Sequence, residues 1–173
     1  KMCRAAATGT RVLGMDIDAA GLIALARMGR PVSPKTCAEL KAIADRSHGL
    51  GMKFVHKGIM TVEDAIAAER AGCDGIVVSN HGGRALDHTP GTIEVLPAIA
   101  AQVKGRMAVL MDGGIRDGLD VLKALAFGAD AVLIGRPFCL AAVGGGSEGV
   151  RLTADHFYNQ LVRSMVLTGC PSV

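Results

Sequence analysis

The chain has 173 residues, half of them hydrophobic, with four Phe, one Tyr and no Trp, so a single domain with an aliphatic, small-residue core is expected. A net charge of +3 without Lys/Arg runs or basic–aromatic interleaving argues against nucleic-acid binding, and no apolar stretch approaches the ~18 residues of a membrane span. Five scattered cysteines without a CxxC pair argue against a disulfide framework or a zinc site, and favour a reducing, cytoplasmic compartment.

Short apolar runs alternate with longer amphipathic ones. Lys1–Ala7 reads as the tail of a helix, as in a piece of a longer protein. Val12–Asp16 is the first strand, ending in Met15-Asp16-Ile17-Asp18, and a helix is expected over Ala19–Met28. Ser33-Pro34 opens a helix over Pro34–Ser47, with Pro at an early helical position. The strand Phe54–Lys57 runs into Lys57-Gly58-Ile59. Thr61-Val62-Glu63-Asp64 has the form of a capping box, with Asp in place of Glu, and starts the helix Thr61–Ala71.

The strand Gly75–Ser79 delivers Ser79-Asn80-His81-Gly82-Gly83-Arg84. Helix Thr92–Val103 follows, then strand Ala108–Met111, which leads into Asp112-Gly113-Gly114-Ile115-Arg116. Helix Gly118–Phe127 closes at Gly128, and strand Ala131–Ile134 leads into Gly135-Arg136-Pro137. Gly144-Gly145-Gly146-Ser147 reads as a flexible turn and N-cap without the Lys of a P-loop, before a last helix over about Ser147–Leu167.

Strands alternating with helices point to βαβ units and a parallel sheet. A loose internal repeat supports this: Ala71-Gly72-Cys73-Asp74-Gly75-Ile76-Val77-Val78 parallels Phe127-Gly128-Ala129-Asp130-Ala131-Val132-Leu133-Ile134. Repeated units of this kind build (β/α)8 barrels, which typically need about 250 residues. The fold class expected is therefore α/β, with residues 1–173 forming the C-terminal part of a barrel, about strands four to eight. An open parallel sheet is the alternative. The barrel is preferred because the chemically capable residues sit at the C-terminal ends of consecutive strands, where a barrel gathers them at one mouth.

Those residues suggest a reaction. His81 can take a proton near neutral pH, and Arg84 can grip a carboxylate with two parallel hydrogen bonds. Lys57 at a strand end can neutralise electron-rich atoms of a cofactor ring. His56, one residue earlier, faces the opposite way and reads as a hydrogen-bonded residue of the helix–sheet layer. Asp112, Gly113, Gly114 and Arg116 after one strand, and Gly135 and Arg136 after the next, form paired glycine–arginine turns suited to phosphate. Asp16 or Asp18 can orient and charge-stabilise His81, although Asp18 reads equally well as a helix cap. A surface bend with an incidental His and Arg is the bland alternative for the His81 turn alone.

Together these motifs resemble the FMN-dependent α-hydroxy acid oxidase/dehydrogenase family, from about Val12 to Val173 and in family order. The resemblance implies FMN as cofactor and oxidation of a small L-2-hydroxy acid, lactate- or glycolate-like, to the 2-oxo acid. It implies His81 as catalytic base paired with Asp16, and Arg84 with His81 as the substrate-binding pair. It also implies Lys57 beside the flavin ring, and Ser79, Asp112, Gly113, Gly114, Arg116, Gly135 and Arg136 holding the cofactor. No metal is implied. The resemblance also implies a homo-oligomer, and a chain or fragment that supplies barrel strands one to three. Ile17 stands where the family often has Thr, and the stretch Ala19–Arg30 is shorter than the usual mobile loop. Other readings are another FMN barrel, of the type 2 isopentenyl diphosphate isomerase kind, and a non-catalytic half-barrel that needs a partner chain.

Overall fold

All neighbouring strands of the single five-stranded sheet are parallel, and their spatial order follows the chain order. The computed structural model describes residues 1–21, 27–29 and 32–173. A short helix α1 (Met2–Ala7) precedes β1 (Val12–Asp16), a 3-10 turn (Asp18–Gly21) and α2 (Cys37–Gly49). The units β2 (Lys53–Ile59)–α3 (Val62–Arg70), β3 (Gly75–Val78)–α4 (Thr92–Val103) and β4 (Ala108–Asp112)–α5 (Gly118–Ala126) follow. The chain ends with β5 (Ala131–Leu133) and α6 (Arg136–Thr168). A doubly wound sheet reverses its strand order at a switch point. An order that never reverses is an arc of a (β/α)8 barrel, as the sequence pattern anticipated.

The core lies between this arc and the helices outside it. Every residue of β3 is buried, which marks it as the central strand. Ile76, Val78, Phe54, Ile59, Val109 and Met111 from the sheet pack with Leu96, Ile99 and Val103 of α4 and Ala65 and Ala68 of α3. Each fully buried aliphatic side chain contributes about 1.5–3 kcal/mol. Alanines on α3 let that helix approach closely, so aromatics are not needed to fill the layer. At the ends of the arc, Val12 of β1 and Leu133 of β5 stay 54% and 39% exposed.

The internal repeat has a structural cause. Asp74 N–H donates to Phe54 O (2.8 Å), while Asp74 Oδ2 accepts from Phe54 N–H (2.8 Å). Asp130 makes the same reciprocal pair with Val109, at 2.7 and 2.8 Å. Each Asp thus ties the start of its strand to the preceding strand, at the end of the barrel remote from the mouth. Asp74 also meets Lys53 Nζ at 2.6 Å and His48 Nε2 at 2.7 Å. Burial alone would raise its carboxyl, but the hydrogen bonds from Lys53, the Phe54 amide and His48 outweigh it and hold it at about 2.

Several local expectations are corrected. Helix α2 begins at Cys37 rather than Pro34, because Thr36 and Glu39 form a full capping box: Thr36 N–H donates to Glu39 Oε2 (2.8 Å) and Glu39 N–H to Thr36 Oγ1 (3.3 Å). At α3 only half of the expected box forms. Thr61 Oγ1 accepts from Asp64 N–H at 3.1 Å, and the shorter Asp side chain returns no bond to the cap. The last helix starts at Arg136, directly after Gly135, and Gly146 breaks it with φ 58° and ψ −144°. The glycine run is therefore a kink between two helical segments. The start of the expected Ala19–Met28 helix is a 3-10 turn, and residues 22–26 lie outside the described residues.

Candidate active site

Strand ends carry the functional groups to one mouth. The register sets Asp16 of β1 beside Lys57 of β2, and Lys57 beside Val77 of β3. Alternation along β2 sends Phe54 and His56 into the helix layer and Lys57 to the opposite side. His56 is fully buried with its ring edge-on to Phe54 (5.1 Å, 81°). The expected hydrogen bond in that layer is not made: neither ring nitrogen has a partner among the described residues, and burial pushes its pKa below 6.5.

After β3 the chain enters a left-handed turn at His81 (φ 54°). A non-glycine residue in this region costs roughly 1–3 kcal/mol and persists only where its surroundings over-determine it. Here they do. Asn80 Oδ1 accepts from Gly82 N–H (3.0 Å) and Gly83 N–H (3.2 Å), and Asn80 Nδ2 donates to Thr89 Oγ1 and Pro90 O, both at 3.2 Å. Buried Ser79 accepts from His81 N–H through Oγ at 3.2 Å. Asn80 is thus the frame of the turn. Its signal in the sequence was an Asn immediately before a glycine-rich turn, where an amide side chain mimics backbone.

The imidazole sits among three charged groups. Nδ1 lies 2.6 Å from Asp18 Oδ2, and Nε2 lies 3.0 Å from Lys57 Nζ and 3.5 Å from Asp16 Oδ1. Lys57 Nζ is also 3.3 Å from Asp16 Oδ1 and 3.5 Å from Asp112 Oδ2. The pairing expected between Asp16 and His81 is long, 3.5 Å to Nε2: Asp16 leans on Lys57, and Asp18, read above equally as a partner of His81 and as a helix cap, reaches the ring at Nδ1. Strand β1 ends at Asp16, and the 3-10 turn that starts at Asp18 brings its carboxylate to His81. Ligand atoms of Asp16, Asp18 and His81 lie within 4.8 Å of one another, a spacing that suits a cation. The Lys57 ammonium already lies against two of the three, Asp16 and His81.

Beyond His81 the mouth becomes a trough. One cavity of about 260 Å³ is lined by Lys57, His81, Arg84, Asp112 and Arg136. It shares Gly82, Gly113, Gly114, Ile115, Arg116 and Arg136 with a second cavity of about 470 Å³ that reaches Thr92 and Lys123. Gly113 and Gly114 are both left-handed (φ 85° and 75°), so this turn can lay its backbone along a ligand. Thr92 Oγ1 donates to Asp112 O at 2.6 Å and holds the turn in place. Gly135 lines the smaller cavity beside Arg136, whose guanidinium lies so close to Gly82 that a Cβ there would be 2.9 Å from Nη2.

These features fit a flavin mononucleotide. The Arg116 and Arg136 side chains, with the glycine amides, offer a phosphate site. Asp112 Oδ1 is buried without a partner, an acceptor suited to a ribityl hydroxyl. Lys57 holds a positive charge beside His81. The sequence-predicted residues Lys57, His81, Arg84, Asp112, Gly113, Gly114, Arg116, Gly135 and Arg136 all line the trough, Ser79 supports it from below, and Asp16 flanks it.

Comparison with known proteins places this geometry in context. Residues 10–173 match the family model described as FMN-dependent dehydrogenase. A peroxisomal (S)-2-hydroxyacid oxidase of Arabidopsis thaliana is 53% identical over 117 residues, covering 68% of this chain and 32% of that protein. An L-lactate oxidase of Lactobacillus jensenii is 42% identical over 165 residues, covering 95% of this chain and 39% of that protein. A mandelate oxidase variant solved with (S)-mandelic acid superposes with a TM-score of 0.85 at 38% identity, covering 98% of this chain and 54% of the solved one. The chain thus spans about a third of the length of these relatives and about half of the solved chain.

Proposed function

The chain belongs to the FMN-dependent dehydrogenase family, and from that premise we propose that it carries the reactive mouth of an enzyme that oxidises a small (S)-2-hydroxy acid to the 2-oxo acid. The observation that carries this reading is the single trough lined by Lys57, His81, Arg84 and Arg136. Its paired base and guanidinium match a 2-hydroxy acid, whose carboxylate and hydroxyl sit on adjacent carbons. The names of the relatives, which act on 2-hydroxy acids, lactate and mandelate, support the same substrate class.

Each residue has a role that follows from its chemistry. Arg84 binds the substrate carboxylate bidentately and so fixes the hydroxyl-bearing carbon. His81 Nε2 takes a proton from the substrate, and the carboxylates around the ring stabilise the imidazolium that results. Lys57 is placed to offset negative charge that builds up beside the ring, with Asp16 and Asp112 holding its ammonium. Arg116, Arg136 and the Gly113–Gly114 turn hold the cofactor phosphate, Asp112 its ribityl chain. FMN, when bound, supplies the two-electron acceptor. Further β/α units close the barrel on β1 and β5, from the same polypeptide or from a partner chain, and turnover depends on them. No helix of the described residues is long and apolar enough to cross a membrane.

Anaerobic flavin reduction tests the reading. L-lactate, glycolate or (S)-mandelate added to the FMN-loaded protein bleaches the flavin absorbance. In His81→Gln the flavin stays bound and bleaching slows by about 10²–10⁴-fold, the usual contribution of a general base. A protein that binds FMN yet is reduced by none of the three acids overturns the assignment.

A further inference from the structure

We propose that Asp18, rather than Asp16, is the positioning residue that sets the tautomer and orientation of His81. The inference rests on the functional reading above and goes beyond it, since Asp18 touches neither the substrate-binding guanidinium nor the cofactor turns.

Two independent contacts agree on one protonation pattern. Lys57 Nζ has only hydrogens to offer, so at 3.0 Å from Nε2 it donates to a lone pair there. A neutral ring with a lone pair on Nε2 carries its proton on Nδ1. That proton points to Asp18 Oδ2 at 2.6 Å, and a charged acceptor shortens such a bond. Asp16 cannot do this work. Its nearer approach to the ring is 3.5 Å, to the other nitrogen, and its Oδ1 is closer to Lys57, at 3.3 Å. The charged groups that face the ring are thus Asp18 and Asp16 from the end of β1 and Lys57 from β2, with Asp112 of β4 behind Lys57.

The carboxylate in turn depends on the ring. Its second oxygen, Oδ1, is buried without a hydrogen-bond partner, so the ring is the one polar group that fixes Asp18 among the described residues. Room for it comes from β2. The register of β2 against β3 shifts between Lys57 and Ile59, and the intervening Gly58 is left-handed with φ 100°. A Cβ at Gly58 would lie 2.5 Å from the Asp18 carboxylate carbon. The glycine that follows Lys57 therefore opens the space in which Asp18 reaches His81. In this arrangement Nε2 faces the mouth as the base. When the substrate hydroxyl arrives it replaces Lys57 as donor to the same lone pair.

The test reads the ring directly. The ¹⁵N shifts of His81 in the FMN-loaded enzyme report which nitrogen carries the proton. Wild type is expected to be protonated at Nδ1. Asp18→Ala loses that preference, and kcat falls by about 100-fold or more while KM changes by less than about 3-fold, the pattern of a lost tautomer. Gly58→Ala, which pushes the carboxylate away without deleting it, shifts the ring in the same direction. Asp16→Ala, which affects Lys57 in its own right, keeps the proton on Nδ1. A tautomer that moves in Asp16→Ala and not in Asp18→Ala overturns the proposal, as does an Asp18→Ala enzyme with wild-type ring shifts. Flavin left unreduced by every 2-hydroxy acid would sink the functional reading alone, because the ring shifts still decide the place of Asp18.

Discussion

Lys57 Nζ stands 3.0 Å from His81 Nε2, so an ammonium from one strand caps the base delivered by the next. Three carboxylates, Asp16, Asp18 and Asp112, surround this pair within 3.5 Å of one or other member. With three carboxylates against one ammonium and a neutral imidazole, the cluster is net negative, which holds the Lys57 ammonium beside the base.

Replacing the cation should separate its two roles. Lys57→Met is expected to lower the midpoint potential of bound FMN and to slow its reduction by substrate, since no positive charge then meets the charge that develops there. Spectroelectrochemical titration of the FMN-loaded enzyme checks this. An unchanged potential would exclude Lys57 from contact with the flavin.

Arg84 should govern substrate capture. Arg84→Lys keeps the charge but loses the planar fork, and a hydrogen bond to a charged group is worth about 1.5–3 kcal/mol. The apparent KM for the 2-hydroxy acid is then expected to rise by one to two orders of magnitude, with FMN affinity retained. Steady-state kinetics alongside flavin fluorescence measures both.

Asp74 makes stability depend on acid. Its carboxyl is held at about 2, below the ordinary 3.8 of an aspartate, so its stabilisation is fully present above about pH 4 and is lost as pH falls towards 2. Asp74→Asn should cost about 1 kcal/mol at pH 7, a figure discounted because the ion pair with Lys53 is partly screened by water. Urea unfolding at several pH values should find that gap closing below pH 4.

His56 works in the opposite sense to a stabilising ion pair. It is buried neutral and its pKa is lowered from 6.5, so the unfolded chain binds its proton more readily than the folded one. No penalty applies well above pH 6.5, and one grows as pH falls through that value towards the depressed one. His56→Leu should therefore be more stable than wild type, by a margin that widens between pH 7 and pH 5. Thermal unfolding across that range reads the difference. A margin that stays constant would show that the ring is not buried neutral.

Much of this protein was readable before any coordinates. Periodicity and turn residues located all five strands, and the strand-end motifs carried nine trough-lining residues because a parallel arc places every strand's C-terminal end at the same mouth. Even the Asp-containing repeat was visible, since each copy solves the same backbone problem at the start of a strand. Helix starts were less legible. Thr36 and Glu39 hold a reciprocal cap that competes with the Pro34 signal, and the bonds actually made decide between them. The acid that meets His81 was read differently: the resemblance implies Asp16 as its partner, and Asp18 reads equally well as a helix cap. The two acids are only two residues apart, so spacing alone does not separate them. Only the tertiary structure decided it, because the 3-10 turn after β1, the space above Gly58 and the left-handed backbone of His81 together fix which carboxylate meets Nδ1.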